Sequence, residues 1–385
     1  MVTPPRAVWS LLLLAPLLSG CAMADFAGLR MDTSPSGGQV VFRLPQQNGA
    51  EEAEGALAVI RTDGSGFRWI PGGKKGSAPT WSPDGRWIAF SVDPKVGQTV
   101  RPLYIYDVLA HSTRLLSPDG GVPMAWREDS QRITTIRHLR DGALEALWLK
   151  PTGEVVFRLP LPFRDYDPFG AVWWPHTDTV AVIGGFTDSS AAGVNSVTDV
   201  YTIEPGEVRQ VTRAGDVSAL GLAPDGRRLL WARPGHDRVR LYSYDRARGN
   251  ITELEPIRLG LLQSDPGFGL DGATVMAFSP TGERLLVVVV FKGRRAGQRQ
   301  SSTYGGIYSA RLDGSDLRLV RRSRPEDEAL LIPHWTRDGK HIVIRGLPLG
   351  PAVGGQDFLA IHRADGSARR TLMSVPVPTP TPTPR

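Results

Sequence analysis

The residues able to do chemistry in this chain of 385 residues are scattered and form no recognisable motif. None of the seven histidines shows the paired spacing that is typical of zinc ligands. A Gly-x-Ser-x-Gly sequence, which would hold a nucleophilic serine at a strand-to-helix turn, is absent, as are glycine-rich nucleotide fingerprints. The sequence therefore predicts no catalytic residue, no metal site and no cofactor. A site assembled from distant parts of the chain stays open as an alternative.

Cys21 is the only cysteine, so it cannot form an internal disulfide bond. It follows Arg6 and an apolar run from Ala7 to Leu18, which is shorter than the roughly 20 apolar residues that a membrane-spanning helix needs. The sequence Leu18-Ser19-Gly20-Cys21 resembles the lipobox of bacterial lipoproteins, in which the cysteine becomes the lipidated N-terminus after cleavage. This resemblance implies a signal peptide over residues 1–20, export, and a lipid anchor in a bacterial cell membrane. The alternatives are a buried strand or an ordinary signal peptide.

The chain is basic, with a formal net charge of +6 and a sequence pI near 9.6. Removal of the leader takes away one cation, Arg6, and no carboxylate, so the charge becomes +5. In an exported protein such a charge favours anionic lipid or an envelope polymer as the partner, and we expect no nucleic acid. A solvated basic surface without a partner is the alternative.

The Trp81–Phe90 sequence, Trp-Ser-Pro-Asp-Gly-Arg-Trp-Ile-Ala-Phe, is the clearest copy of an internal repeat. In each copy an apolar residue ends one strand, a tight turn follows, and an alternating run starts the next strand. A third and a fourth strand follow in each repeat. Four strands recurring every 45 to 57 residues predict an all-β fold, a β-propeller. Clear copies start at Trp81, Trp126, Trp174, Leu222, Phe278 and Trp335, and a weaker copy starts at Thr33.

The repeat resembles that of TolB-type propellers over nearly all of residues 34 to 373. Six clear copies and one weak copy predict seven blades, with six as the alternative. The copy at Trp174 reads as if its turn had lost one residue. The repeated tryptophans are interpreted as packing between blades, and Asp84, Asp225 and Asp338 as turn formers. The predicted domains are a tether over 21–33, the propeller over 34–374, and a Pro/Thr-rich disordered tail over 375–385.

Antiparallel blades place two kinds of connection on opposite faces of the disc. The turns between first and second strands and between third and fourth strands are short, and we call their side the turn face. The other side, the connection face, carries the longer links between second and third strands and between blades. Loops on a rigid scaffold are the usual location of binding sites. The predicted binding loops are a basic one with Lys292, Arg294, Arg295 and Arg299, and a small polar one around Phe186.

Arginine binds phosphate, sulfate and carboxylate in bidentate fashion, so the basic loop is a candidate site for an acidic group, or else a charged hairpin tip. The loop around Phe186 is a candidate for carbohydrate or peptide, or else a disordered loop. The favoured function is a non-enzymatic scaffold that holds a protein or polymer of the cell envelope, as the resemblance to TolB implies. A sensor of a small anionic or sugar ligand is the first alternative, and a hydrolase or lyase is the second. The sequence leaves the oligomeric state and the choice of inner or outer membrane open.

Overall fold

The computed structural model describes residues 30–44, 55–94, 100–164, 170–188, 195–260, 262, 264, 266–294, 302–322, 329–348 and 356–376. These residues form seven antiparallel sheets, each built from four consecutive strands. The predicted all-β propeller with seven blades is confirmed, and the weak first copy of the repeat forms a complete blade. The alternative of six blades is thereby excluded.

The strands are numbered in chain order, with four to a blade and a fifth, short strand in blade 5. Blade 1 contains β1 (Met31–Thr33), β2 (Gln39–Arg43), β3 (Leu57–Arg61) and β4 (Arg68–Trp69). Blade 2 contains β5 (Gly76–Trp81), β6 (Trp87–Val92), β7 (Leu103–Asp107) and β8 (Ser112–Ser117). Blade 3 contains β9 (Val122–Trp126), β10 (Ile133–His138), β11 (Ala143–Leu149) and β12 (Val155–Arg164). Blade 4 contains β13 (Gly170–Trp173), β14 (Val180–Asp188), β15 (Asn195–Glu204) and β16 (Glu207–Gln210).

The remaining blades follow the same plan. Blade 5 contains β17 (Ala219–Leu222), β18 (Arg228–Pro234), β19 (Arg238–Asp245) and β20 (Asn250–Glu253), and the short β21 (Ile257–Arg258) also pairs with β19. Blade 6 contains β22 (Phe268–Phe278), β23 (Arg284–Gly293), β24 (Ser302–Arg311) and β25 (Arg318–Arg322). Blade 7 contains β26 (Ala329–Trp335), β27 (His341–Pro348), β28 (Gln356–Arg363) and β29 (Arg369–Pro376). The strands thus begin three residues before, and end two residues after, the bounds expected for the propeller.

The first strand of each blade contacts the first strand of the next blade, from β1 through β5, β9, β13, β17 and β22 to β26, and β26 contacts β1. The ring is therefore closed, with the first strands innermost around the axis. Each blade is buried on both faces because it lies between two others. On β3, Leu57 and Val59 pack into the core shared with blade 2, whereas Ala58 and Ile60 pack into the core shared with blade 7. This alternation follows from the two-residue period of a strand.

The turns on the turn face are held by their own side chains, as predicted. The carboxylates of Asp84, Asp225 and Asp338 each accept a hydrogen bond from the backbone N–H two residues further on, at 3.0, 2.9 and 3.1 Å. Such bonds satisfy backbone donors that the turn takes out of the sheet. These three aspartates therefore have the structural role expected of them.

The repeat position in blade 4 belongs to Trp173, and its assignment to Trp174 was wrong. Trp173 pairs with Val180 exactly seven residues later, as Trp81 pairs with Ile88, so the turn has lost no residue. The Trp173 indole donates to the carbonyl of Ala125 in blade 3, at 3.1 Å. Trp174 points to the opposite side of the blade and packs in the core between blades 4 and 5. The sequence could not distinguish the two adjacent tryptophans, because both are apolar and both are buried between blades.

In the part of the chain that the structure describes, no helix is long and apolar enough to cross a membrane.

Candidate binding cleft

Most of the partly exposed side chains on the innermost strands are small or apolar. The partly exposed residues on these strands include Thr80, Ala125, Val172, Leu220, Met276 and His334. Within the described residues, no group of three or more histidine, cysteine, aspartate or glutamate side chains is arranged to hold a metal ion. The partly exposed side chains of the innermost strands are thus mostly apolar, and their titratable groups include the partly exposed His334 and the exposed Asp271.

His334 belongs to a charged cluster that joins the two ends of the ring, centred on the buried Asp32 of β1. The Asp32 carboxylate accepts hydrogen bonds from the backbone N–H groups of Thr33 and Trp81, both at 2.7 Å, and from Arg337 Nη2, also at 2.7 Å. His334 Nε2 lies 3.5 Å from Asp32 Oδ1. Burial by itself raises the pKa of Asp32, but Arg337 and His334 outweigh it and hold that pKa well below its usual range. The carboxylate therefore ties blades 1, 2 and 7 together.

A cleft of about 320 Å³ opens between blades 2 and 3. Its lining comes from the segment that leads into β7, from the link between the two blades, and from the end of β10 with the hairpin that follows. All three lie on the connection face. The lining residues are Val100, Arg101, Asp119, Gly121, Ile136, Arg137, His138, Leu139 and Arg140. The cleft thus combines three guanidinium groups with one carboxylate and several apolar side chains.

The three arginines of the cleft differ in how far their charge is neutralised. Arg137 donates to Glu145 Oε2 at 2.9 Å from Nε and 2.7 Å from Nη2, and it also pairs with Asp119. Arg101 pairs with Asp93 at 3.1 Å, but Asp93 is shared with another arginine. By contrast, Arg140 is exposed and makes no ion pair or hydrogen bond with the residues that the structure describes. Arg140 is therefore free to bind an anionic group at the mouth of the cleft.

The floor of the cleft depends on Gly121, where the link between the blades enters β9. Its φ of 77° lies in the left-handed region, and a Cβ at this position would overlap the carbonyl oxygen of Ile136. Glycine adopts this conformation without steric cost, so the two segments can approach closely. The close approach brings Asp119 beside Arg137 and shapes the floor.

The residues predicted as binding loops lie elsewhere on the connection face. Lys292 and Arg294 are exposed at the end of β23 in blade 6, which is adjacent to neither blade 2 nor blade 3. Phe186 lies on β14 opposite Val197, within a strand rather than a loop, and its side chain is outside the described residues. Arg295, Arg299 and the predicted anchor Cys21 also lie outside the described residues. The structure does not bring Lys292 and Arg294 together with the cleft.

The arginines of the cleft were not predicted from the sequence. Arg101 and Arg140 are 39 residues apart and belong to different blades, so no local motif joins them. Arg101 directly follows one of the long connections on the connection face, and the turn His138-Leu-Arg-Asp-Gly142 is rich in charge. These signals mark exposed segments but do not show that the two segments meet.

The fold and cleft define a seven-bladed β-propeller with a basic groove between two blades. No family model and no curated protein match the sequence. Among solved structures, an oligogalacturonate lyase in complex with manganese is similar with a TM-score of 0.54 and 14% identity, over 85% of this chain and 86% of that one. The β-propeller domain of the Trilobed protease from Pyrococcus furiosus, described as having an open velcro topology, scores 0.54 with 16% identity, over 91% of this chain and 98% of that one.

TolB from Acinetobacter baumannii aligns with 98% of this chain and 71% of its own at 15% identity, but its TM-score of 0.46 is too low to carry an argument. At these identities the two better matches show the fold alone. Propellers of this shape therefore occur in a lyase and in a protease as well as here.

Proposed function

We propose that this protein is a lipid-anchored binding scaffold of the bacterial cell envelope, which holds an acidic protein or polymer against its connection face. The observation that carries the proposal is the cleft between blades 2 and 3, where Arg140 lies beside two further arginines and makes no ion pair with any described residue. Lys292 and Arg294 add exposed cations to the same face. Planar guanidinium groups bind carboxylate and phosphate with defined geometry, which suits an extended acidic partner.

Binding without catalysis is the better-supported role for the described part of the chain. On the innermost strands β1 and β26, Asp32 and His334 take part in contacts that join blades 1 and 7. The carboxylate of Asp32 accepts hydrogen bonds from donors in three blades. Because these bonds occupy its oxygens, we assign Asp32 a structural role and not a role in binding a substrate. The lipid anchor at Cys21 is part of the proposal, on the strength of the sequence Leu18-Ser19-Gly20-Cys21.

A small anionic ligand is the second candidate, because the cleft is concave and its volume is near the lower end of small-molecule sites. Apolar contacts from Val100, Ile136 and Leu139 would accompany the guanidinium groups in such a site. The two candidates differ in size of ligand but share the same cationic residues.

The test is titration calorimetry with poly-L-glutamate as the acidic polymer and with citrate and inorganic phosphate as small anions. We expect the polymer to bind, and we expect Arg140→Ala to weaken its binding about tenfold, the loss of one charge-assisted contact. Lys340→Ala is the matched control, since Lys340 is an exposed cation on the turn face. Equal effects of Arg140→Ala and Lys340→Ala would refute the site, whereas tight binding of citrate or phosphate without the polymer would favour the second candidate.

The anchor is tested separately in a bacterial host. We expect the mature chain to begin at Cys21 with a lipid mass attached, and Cys21→Ala to release the protein from the membrane fraction. Recovery of an unlipidated, uncleaved chain would refute the anchor while leaving the calorimetric result intact.

A further inference from the structure

Two exposed lysines lie beside the cleft, on the same face of the ring. Lys74 and Lys75 belong to the link between blades 1 and 2, directly before β5 begins at Gly76. Both residues are exposed, and neither forms an ion pair with a residue that the structure describes. Links between blades lie on the connection face, so these two charges belong to the face that carries the cleft.

A short series of contacts connects Lys75 to the arginines of the cleft. The N–H of Asp93, directly after β6, donates to the carbonyl of Lys75 at 2.9 Å. The carboxylate of Asp93 accepts a hydrogen bond from Arg101 at 3.1 Å, and Arg101 lines the cleft. Asp93 therefore contacts both the backbone of Lys75 and the guanidinium of Arg101, which places the two cationic residues in one continuous patch.

The repeat gives the spacing between the lysines and the cleft. Trp81 and Trp126 hold the same position in blades 2 and 3, 45 residues apart, so Gly76 corresponds to Gly121 in the floor of the cleft. Packed sheets lie about 10 Å apart, and the hairpin of Arg140 lies a further strand spacing of about 5 Å from the axis. The charges from the lysine link to Arg140 therefore extend over roughly 15 Å.

Three carboxylates of this patch are already engaged in ion pairs. Asp93 is shared by two arginines, at 2.6 and 3.1 Å, and Asp119 and Glu145 both pair with Arg137. Three cations remain that make no ion pair with the described part of the chain: Lys74, Lys75 and Arg140. A row of uncompensated cations attracts a ligand that carries several negative charges.

The backbone of Lys75 favours a function for its side chain. Its φ of 57° lies in the left-handed region, which glycine adopts freely and which strains a residue with a Cβ. Backbone strain of this kind is concentrated at functional sites. A lysine thus occupies a position where glycine would fit without strain, and binding through its ammonium group would account for it.

We propose that Lys74 and Lys75 extend the cleft into a groove for an acidic peptide segment, which runs in extended form from Arg140 to the link between blades 1 and 2. This inference rests on the proposed function and selects the larger of its two candidate ligands, since a small anion cannot span about 15 Å. Carboxylates on one side of an extended segment recur about every 7 Å, which matches the length of the patch. The cleft also offers apolar contacts to peptide side chains, from Val100, Ile136 and Leu139.

The test is titration calorimetry of the full chain with two glutamate peptides. The short peptide has about two residues and reaches roughly 7 Å, and the long one has about ten residues and reaches roughly 33 Å. We expect Lys74→Gln with Lys75→Gln to weaken binding of the long peptide on the order of tenfold and to leave the short one unaffected. Arg140→Ala should weaken both. The charge-matched control is Lys150→Gln with Lys340→Gln, since both of these lysines lie in turns on the turn face, and it should bind as the parent does.

A second variant separates binding from folding. Lys75→Gly removes the strain of the left-handed φ, so we expect it to be no less stable than the parent in urea while it binds the long peptide more weakly. Undiminished binding of the long peptide by Lys75→Gly would contradict the role of the ammonium group.

The remaining outcomes distinguish this inference from the proposed function. Equal losses for the two peptides in the Lys74 and Lys75 double variant, or a loss no larger than in the control, would overturn the groove and leave the cleft in place. Tighter binding of a uronate oligosaccharide of the same length would overturn a peptide as the ligand. Failure of the parent to bind either peptide would refute the proposed function and this inference together.

Discussion

The buried carboxylate of Asp32 joins both ends of the ring, beside the apolar core shared by blades 1 and 7, so Asp32→Ala should destabilise the whole propeller. In the parent, Asp32 receives the N–H groups of Thr33 and Trp81 and the guanidinium of Arg337. The variant leaves the buried Trp81 N–H without an acceptor and Arg337 without its counter-ion. Breaking a buried ion pair costs about 3 to 5 kcal/mol. Because Arg337 is partly exposed, we expect the free energy of unfolding to decrease by about 4 kcal/mol. For a propeller of this size that lowers Tm by about 6 °C.

The assay is thermal unfolding followed by near-ultraviolet circular dichroism, with the change in free energy of unfolding taken from urea titrations. The control is Asp237→Ala, which removes a carboxylate from the solvent-exposed ion pair with Arg238 and should leave Tm unchanged. A Tm for Asp32→Ala within about 1 °C of the parent would refute the idea that this cluster closes the ring, because a loss of about 4 kcal/mol cannot produce so small a shift.

The pH dependence of stability is a second test of the contribution that Asp32 makes to the folded state. The folded-state pKa of Asp32 is lowered, so its contribution is fully present above the unfolded pKa of about 3.9 and is lost as pH falls toward the folded value. We therefore expect the parent to lose stability below about pH 4 more steeply than Asp32→Asn. Parallel acid unfolding curves for the two proteins would contradict the assignment.

Three further outcomes follow from the packing between and within blades. Burial, with Arg321 and Arg369 nearby, lowers the pKa of His362 from 6.5 to about 4. The free energy of unfolding should therefore decrease, by up to about 3 kcal/mol, as the pH falls from 6.5 to 4, and His362→Gln should flatten that slope in urea titrations. Gly121→Ala should distort the cleft and weaken poly-L-glutamate binding, whereas unchanged binding would show that the floor can move. Trp173→Phe should lower the free energy of unfolding by about 1 kcal/mol, because it removes the indole hydrogen bond between blades 3 and 4. An unchanged urea unfolding curve would show that this bond does not contribute to stability.

Much of the architecture could be read from one pattern. The sequence Trp-Ser-Pro-Asp-Gly-Arg and its relatives carry their own turn chemistry, because the aspartate bonds to backbone only two residues away. Each copy of the repeat has side chain–backbone hydrogen bonds of this local type in its turn. The copies can therefore be recognised one by one in the sequence, and their number predicted seven blades. The repeat position was assigned to Trp174 instead of Trp173 because the apolar pattern offers two equally suitable neighbours, and only cross-strand pairing decides between them.

The candidate site was harder to predict, since its parts are distant along the chain. Arg101 and Arg140 line one cleft only because blades 2 and 3 pack side by side. Arg140 differs from the other two arginines in pairing with none of the described residues, which no sequence shows. The ring closure is more distant still, with Asp32 and Arg337 separated by 305 residues. The spacing of the repeat thus determined the class of fold, and the expectation of a lipid anchor came from the resemblance of Leu18-Ser19-Gly20-Cys21 to a lipobox. Tertiary structure alone decided which charges are neutralised and which stay free, because pairing depends on distances in space rather than on order along the chain.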